Sequence, residues 1–331
     1  MVSKLMENKK LKIDRRLQPA DLFFLIRPPM LVPVWTFFLA GYWRAMGVSV
    51  KLIPEFIKNS IILSRNFWIS FIAYSLLLGA IYIVNQIVDR ESDKKNRKLF
   101  LIPLEIVSVK LAVAVTVVLI IVSFGLTFKF GILYTVFMLI SFVVGLLYSF
   151  PPFRLKGRPI VDIVSNAVGY GILAFGVGWL TAAGFSWKIF VFCIPYFFAA
   201  ASIFAVSTIL DIEGDREDGA ITTAVKFGKN SALFISIVTL FMSLIFAFWT
   251  KDLLIIITSL ISLPLIIKAI AGKRREFITL YMRGGSYILI VLIGVVFPWY
   301  FLLLVFILLV SKYYYKHRFG IKYPELLEKE N

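Results

Sequence analysis

Two short acidic motifs have the residue types and the spacing of a cation site. The first contains Asn85, Asp89 and Asp93 at intervals of four residues, and in the second Asp211 and Asp215 are again four residues apart. Residues at i and i+4 lie on the same face of a helix, so each motif would present a row of oxygen ligands. Each motif also ends a long apolar stretch, where a carboxylate is costly unless it has a partner.

Oxygen ligands without histidine or cysteine favour a hard cation such as Mg²⁺, whose octahedral shell is completed by water and substrate phosphates. The one cysteine, Cys193, lies inside an apolar stretch, and the one histidine, His317, lies in a basic C-terminal segment. Two acidic faces that point at each other would repel, and divalent cations bridging a diphosphate would remove that repulsion. We therefore predict a Mg²⁺ site made of Asn85, Asp89, Asp93, Asp211 and Asp215.

Three cations near these motifs, Arg154, Lys156 and Lys226, are candidates for binding the remaining phosphate charge. A simpler interpretation exists for both sets of residues. Acidic residues at helix ends can merely terminate spans and balance neighbouring lysines, and Arg154, Lys156 and Arg158 can be ordinary markers of membrane topology. Two motifs with the same spacing, both predicted on one face, favour the cation site.

The composition indicates that membrane-spanning helices position these residues. Of 331 residues, 60% are hydrophobic and the mean hydropathy is +0.88, whereas soluble domains are about 45–50% apolar. The excess forms continuous runs of about 18–22 residues, enough to cross a hydrocarbon core of about 30 Å as a helix. Barrel strands would instead show short alternating patterns. We predict an all-α integral membrane protein.

The apolar runs predict a bundle of nine or ten transmembrane helices. The segment from about 47 to 66 is mixed and predicts an interfacial connection. The block at about 278–311 is too long for one straight crossing, and Pro298 can divide it into two. The remaining predicted spans lie at about 28–46, 67–89, 104–127, 130–149, 160–183, 188–210, 231–250 and 252–271.

The charge distribution predicts the orientation of the bundle. A net charge of +17 would indicate a nucleic-acid surface in a soluble protein, but in a membrane protein Lys and Arg remain cytoplasmic. With the N-terminus inside, the inner segments hold about 28 of the 36 Lys and Arg. We predict a multi-pass protein of the cell membrane, with both acidic motifs on the cytoplasmic face and no nucleic-acid partner. We expect a cytoplasmic basic arm at 1–21, a single transmembrane domain at 22–315 and a polar tail at 316–331.

The motifs carry a family resemblance. Asn85-x3-Asp89-x3-Asp93 resembles the first aspartate-rich motif of the UbiA superfamily of intramembrane prenyltransferases, and Asp211-x3-Asp215-x3-Gly219 resembles the second. Further segments that look like family features are Arg27-Pro28, the loop from Tyr148 through Arg154 to Lys156, and the stretch from Thr223 through Lys226 to Gly228. Gln86 departs from the family, which often has Asp there.

The resemblance implies a UbiA-like fold, usually of nine helices, and a prenyltransferase that uses Mg²⁺. Its substrates would be an allylic polyprenyl diphosphate and a lipophilic acceptor, with membrane lipid as a further partner. The expected catalytic residues are Asp89, Asp93, Asp211 and Asp215, and the expected substrate-binding residues are Arg27, Asn85, Tyr148, Arg154, Lys156 and Lys226. Aromatic rings stabilise carbocations, and Tyr148, Tyr170 and Trp179 are the candidates for that role.

Several functions remain open from sequence. By the resemblance, the expected acceptor is an aromatic ring of a quinone precursor, while a carotenoid, a tetrapyrrole or a glycerol-phosphate ether lipid is an alternative. A terpene cyclase of the same superfamily would release diphosphate without an acceptor. A membrane transporter with carboxylates along a cation pathway is the alternative from a different functional class.

Overall fold

The computed structural model describes residues 14–47, 63–95 and 101–320, and within these ranges the chain forms helices and no strands. Most of the predicted connection at 47–66 lies outside the described residues. The helices are α1 Pro19–Leu25, α2 Pro28–Ala45, α3 Arg65–Val88, α4 Arg90–Lys95, α5 Val109–Thr127, α6 Ile132–Ser149, α7 Val161–Ala182, α8 Lys188–Leu210, α9 Ile212–Glu217, α10 Thr223–Trp249, α11 Leu253–Gly272, α12 Arg275–Val296 and α13 Pro298–Phe319.

The number of membrane-spanning helices agrees with the prediction. Among the described residues nine helices are long and apolar enough to span a membrane, and α1 with α2 forms a tenth, broken span bent by 43°. The long apolar block is divided as Pro298 allows: Phe297 is non-helical, with φ −121° and ψ 83°, and Pro298 starts α13. Proline is accommodated at a helix start because its missing N–H would be unpaired there in any case.

Two predicted helix starts were wrong. The helix expected from about 104 begins at Val109, where Ser108 caps it by accepting a hydrogen bond from the Leu111 amide at 3.2 Å. The helix expected from about 231 begins at Thr223 and contains a break at Gly228, whose φ is 83°. Hydropathy did not predict this start because the first residues of the helix include polar ones. The start depends instead on tertiary contacts of Thr223, which local hydropathy does not encode.

The helices α2 and α7 cross so closely that their backbones touch. A Cβ on Gly41 would lie 1.9 Å from the carbonyl oxygen of Phe175, and a Cβ on Gly178 would lie 1.9 Å from that of Phe38. Small residues allow such close packing in membranes, where helices associate through van der Waals contact. Because α7 also begins beside the acidic motifs, this crossing fixes one wall of the site.

The ends of the described chain pack together. Arg318 binds Asp21 through two hydrogen bonds of 3.0 Å, Tyr314 donates to the same carboxylate at 2.6 Å, and Asp21 is fully buried. Burial of a charge requires such a partner. The predicted domain boundaries at residues 21 and 315 therefore fall inside packed structure, in α1 and α13.

Candidate active site

Both acidic motifs have the same local structure. Each long helix, α3 and α8, ends at the first aspartate of its motif, and each is followed by a helix of six residues. Asp89 has φ −86° and ψ 4°, and Asp211 has φ −104° and ψ 2°. The amides of Asp93 and Asp215 donate to the carbonyls of Asp89 and Asp211, both at 2.8 Å. The two carboxylates of each motif therefore keep their helical i, i+4 arrangement across the break between the long and the short helix.

The two motifs meet at one cavity of about 410 Å³, which we call the polar cavity. Asp89 and Asp211, 122 positions apart in sequence, both line it. Two further carboxylates, a tyrosine and two cations predicted for the site also line it: Asp93, Asp215, Tyr148, Arg154 and Lys156. The described structure thus brings seven of the predicted site residues to a single space.

Direct hydrogen bonds hold the motifs together. Ser92 in α4 donates to Asp218, which follows α9, at 2.6 Å. Thr222 donates to Asp215 at 2.9 Å. The first bond joins residues that follow different spanning helices, so it fixes the separation of the two motifs.

The electrostatics of the polar cavity favour a bound cation. Burial raises the pKa of Asp215 above its ordinary value, and the negative charges of Asp211, Asp162 and Asp218 raise it further, against the lowering effect of the Thr222 hydrogen bond. Carboxylates that raise one another's pKa repel when ionised, and a divalent cation between them would relieve this repulsion.

Two basic side chains already interact with the first motif. Lys156 forms an ion pair with Asp89. Arg27, at the bend between α1 and α2, interacts electrostatically with Asp93 and Asp89. The predicted substrate-binding residues Arg27 and Lys156 therefore lie beside the predicted metal ligands, where they can bind anionic oxygens.

The donor set fits Mg²⁺ that is shared with a substrate. No group of three or more acidic, histidine or cysteine side chains within the described ranges is arranged to enclose a metal ion. Magnesium is typically held by one or two carboxylates together with substrate phosphates, so a complete protein cage is not required. In addition, the Asn85 side-chain oxygen is buried without a hydrogen-bond partner among the described residues. Buried polar atoms are normally paired, so this oxygen is available to bind a cation.

A second, apolar cavity of about 110 Å³ adjoins the polar one. Tyr148 and Asn166 line both cavities, and the Asn166 amide donates to the Tyr148 hydroxyl at 3.0 Å. Asn85 lines the inner cavity. Its walls come from four helices, through Val34, Tyr74, Leu78, Ile81, Tyr82, Ser141, Val144, Gly145, Ser165, Gly169, Tyr170 and Leu173.

A π-helical segment shapes the inner cavity. Residues Val168–Ala174 of α7 have π-helical hydrogen bonding, and Gly169 and Tyr170 within it line the cavity. The neighbouring Gly171 packs against α8, where an added Cβ would lie 2.4 Å from the Phe197 Cα. Such single π segments often occur at functional sites because they re-orient side chains. The prediction that Tyr170 lies near the site is thereby supported.

Two predicted residues lie elsewhere. Lys226 is exposed, with its ammonium 5.4 Å from the Phe227 ring centre, and it does not line the polar cavity. Trp179 was predicted near the site, and this was wrong: it lines a different cavity, near the opposite end of α7. The sequence could have revealed this, because Trp179 lies close to the far end of the span predicted at about 160–183, roughly 28 Å from its start beside the acidic motifs.

Gln86, the departure from the family pattern, has a structural role. It is buried, and its side-chain nitrogen donates to the Leu25 carbonyl at 2.8 Å and to the Tyr82 carbonyl at 3.1 Å. A carboxylate could not make these donations. The residue braces α3 against α1 and lines neither of the two cavities.

Sequence reasoning missed several residues of the polar cavity, foremost Asp162. This carboxylate is buried and accepts hydrogen bonds from the amide and hydroxyl of Thr223, so it fixes the start of α10 against α7. Asp162 and Asn166 have the same i, i+4 spacing as the acidic motifs, a signal that was available in sequence. Other missed lining residues are Ser92, Ser207, Thr208, Asp218 and Thr222.

Comparison with known proteins identifies the family. The profile described as the UbiA prenyltransferase family matches residues 34–277. The chain belongs to this family. The match includes both acidic motifs, the loop with Arg154 and Lys156, and all four helices of the inner cavity. The predicted fold, an all-α multi-pass membrane bundle of the UbiA type, is confirmed.

Individual relatives support the same family. A probable homogentisate phytyltransferase 2, chloroplastic, from Oryza sativa subsp. japonica is 31% identical over 207 residues, which is 58% of this chain and 54% of that protein. A digeranylgeranylglyceryl phosphate synthase from Sulfolobus acidocaldarius is 29% identical over 172 residues, 51% of this chain and 60% of that one. The chain thus spans a little over half the length of these curated relatives.

A solved structure has the same fold. A UbiA homologue from Archaeoglobus fulgidus bound to GPP and Mg²⁺ aligns with a TM-score of 0.61 at 19% identity, over 84% of this chain and 99% of the other. At this identity the likeness establishes the arrangement of helices.

Proposed function

We propose that this UbiA-family protein transfers a prenyl group from a polyprenyl diphosphate to a lipophilic acceptor in a Mg²⁺-dependent reaction. The single observation that carries the proposal is the meeting of two acidic motifs with Arg154 and Lys156 at one cavity, which shares Tyr148 and Asn166 with an adjoining apolar cavity. This combination suits a molecule with a diphosphate head and an isoprenoid tail. The spanning helices together would form one catalytic domain.

The polar cavity would bind the diphosphate. Mg²⁺ held by Asn85, Asp89, Asp93, Asp211 and Asp215 would neutralise the charge that develops on the leaving diphosphate. Arg154, Lys156 and Arg27 would bind phosphate oxygens beside these ligands. Because the charge on the leaving group increases as the C–O bond breaks, these cations stabilise the transition state more than the ground state.

The inner cavity would protect the allylic cation. Its walls are mostly apolar and aromatic; Tyr148 lines both cavities, and Tyr170 lines the inner one. Aromatic faces stabilise cations, and exclusion of water prevents hydrolysis of the cation before an acceptor captures it. The tail would extend between α3, α6 and α7 toward lipid.

The acceptor proposed is an aromatic quinone precursor. The rice relative is named for homogentisate, an aromatic acceptor, whereas the Sulfolobus relative is named for a glycerol phosphate product. The higher identity and longer alignment to the rice protein favour the aromatic acceptor. The A. fulgidus structure with GPP and Mg²⁺ supports a prenyl diphosphate donor and this metal.

The deciding experiment incubates the purified protein with geranylgeranyl diphosphate, Mg²⁺ and single acceptors, namely homogentisate, 4-hydroxybenzoate and geranylgeranylglyceryl phosphate. Mass spectrometry of the products should detect the prenylated aromatic ring. If only geranylgeranylglyceryl phosphate is prenylated, the acceptor is a glycerol-phosphate lipid and the proposed aromatic acceptor is wrong. A prenyl alcohol or cyclic hydrocarbon as the sole product would indicate diphosphate cleavage without transfer, and no Mg²⁺-dependent diphosphate release at all would contradict the enzyme assignment.

Removal of one carboxylate from each motif tests the site. We expect Asp89→Ala and Asp211→Ala each to reduce prenyl transfer by at least about 100-fold, because the metal–diphosphate complex loses a ligand. Expression and membrane insertion should persist. The matched controls Glu91→Ala and Glu217→Ala remove exposed carboxylates from α4 and α9 that do not line the polar cavity, and they should retain activity. Full activity of Asp89→Ala or Asp211→Ala with Mg²⁺ present would exclude the proposed site.

A further inference from the structure

A cavity of about 490 Å³ lies at the opposite end of the bundle from the acidic motifs. It is formed where α2 and α7 end and α8 begins, and Lys188 and Asp211 are separated by the full length of α8, on the order of 35 Å. We call it the far-face cavity, and it is defined by Trp43, Arg44, Trp179, Lys188, Phe192 and Lys251.

The cavity concentrates positive charge on a face that has little of it. Among the described residues, the cations at this end of the helices are Arg44, Arg65, Lys129, Lys188 and Lys251. Three of these five line the far-face cavity, and no acidic side chain in the described part of the chain lines it. Since Lys and Arg are normally retained on the other side of the membrane, their convergence here requires a specific cause.

Arg44 is held in a fixed orientation. Its Nε lies 3.2 Å from the Asp252 carboxylate, which is buried, and an Nη donates to the Thr250 carbonyl at 2.9 Å. The guanidinium also lies 4.4 Å from the Phe192 ring centre. Asp252 balances the charge of Arg44, whereas Lys188 and Lys251 form no ion pair with any acidic side chain among the described residues.

A buried donor points to a ligand independently of the charges. Trp179 is 5% exposed, and its buried indole Nε1 has no hydrogen-bond partner within the part of the chain that the structure describes. The ring is stacked on Phe192, with centroids 5.7 Å apart. An N–H donor that is left without an acceptor costs free energy, and an anionic oxygen in the cavity would supply that acceptor.

We propose that the far-face cavity binds a phosphate group through Arg44, Lys188, Lys251 and the Trp179 indole N–H. The chemistry is that of a phosphate anion, carried either by an anionic phospholipid headgroup or by free phosphate. The rings of Trp43, Trp179 and Phe192 supply an apolar surface against which the part of an acyl chain nearest the headgroup would pack. Tryptophan is enriched at this depth of a membrane. The site is separate from the proposed catalytic one.

The test measures thermal unfolding of the full-length purified protein in neutral detergent with EDTA. The three ligands are dioctanoyl phosphatidylglycerol, inorganic phosphate and, as a zwitterionic control, dioctanoyl phosphatidylcholine. We expect saturable stabilisation by phosphatidylglycerol or by inorganic phosphate, and the ligand that saturates identifies the source. The double variant Lys188→Gln/Lys251→Gln should weaken the apparent affinity on the order of tenfold. The matched double variant Arg65→Gln/Lys129→Gln removes the same charge from residues at the same end that are exposed, as Lys188 and Lys251 are, but that do not line the far-face cavity. It should bind as the unmodified protein does.

A second variant isolates the indole donor. Trp179→Phe keeps a ring against Phe192 and removes only the N–H, so affinity should fall several-fold while the melting profile without ligand stays cooperative. Equal affinity in the two double variants, or no saturable effect of either anion on the unmodified protein, would overturn the proposal. Because prenyl transfer is not measured, failure of the proposed function would leave this result unaffected.

Discussion

Lys156 and Lys226, two lysines predicted to bind the same substrate, occupy different environments in the folded chain. Lys156 lines the polar cavity and pairs with Asp89, whereas Lys226 is exposed beside Phe227. We predict that Lys156→Gln raises the KM for the prenyl diphosphate about tenfold or more, since a charge-assisted contact to phosphate is lost. Lys226→Gln removes the same charge and should change KM less than about twofold, because exposed charges are screened. Steady-state kinetics with varied donor concentration decide this, and an equal effect of both substitutions would refute the placement of the diphosphate.

At the scale of helices, the crossing of α2 and α7 depends on the absence of side chains. We predict that Gly178→Ala lowers the free energy of unfolding by about 1–3 kcal/mol, because even one methyl group meets the Phe38 carbonyl. Gly125→Ala in α5 is the matched control, since a Cβ there meets nothing within 4 Å. Thermal unfolding in detergent measures both. A Gly178→Ala protein as stable as the Gly125→Ala protein would show that the two helices can separate without cost.

The helices of the inner cavity should also set the length of the donor chain. Ser141 lies two turns deeper than Tyr148 on α6 and lines the cavity of about 110 Å³. We predict that Ser141→Phe fills this space and reduces activity with geranylgeranyl diphosphate at least about tenfold more than with dimethylallyl diphosphate. Val143→Phe adds a ring on the same helix at an exposed position outside the cavity and should leave the ratio unchanged. Comparison of the two donors at saturating acceptor gives the ratio, and an unaltered preference in Ser141→Phe would place the tail elsewhere.

The two ends of the whole molecule differ chemically, and the orientation of the bundle in the membrane decides which end faces the cytoplasm. We predict that the acidic end is cytoplasmic, because the segments at that end hold most of the Lys and Arg. In a Cys193→Ala background, which removes the one native thiol, Glu217→Cys should be labelled by an impermeant maleimide only from the cytoplasmic side. Lys129→Cys, at the other end, should be labelled only from outside. The reverse pattern would invert the topology and move the proposed catalytic site to the outer face.

The sequence by itself determined the class of fold, the number of spans and the identity of the two carboxylate motifs. These properties are local: a span needs about 20 apolar residues, and a helical ligand row needs only i, i+4 spacing. The spacing of Asp89, Asp93, Asp211 and Asp215 was therefore informative before any helix was placed.

Only the tertiary structure decided which residues share a cavity. Asp162 joins the polar cavity because α7 and α10 begin side by side, and Gln86 lies outside both cavities because it holds α3 against α1. Each of these outcomes depends on how helices distant in sequence pack, which in a membrane is governed by close contacts such as those of Gly41 and Gly178. Hydropathy and motif spacing carry no information about such contacts, and this is the physical reason that the site could be anticipated only in part.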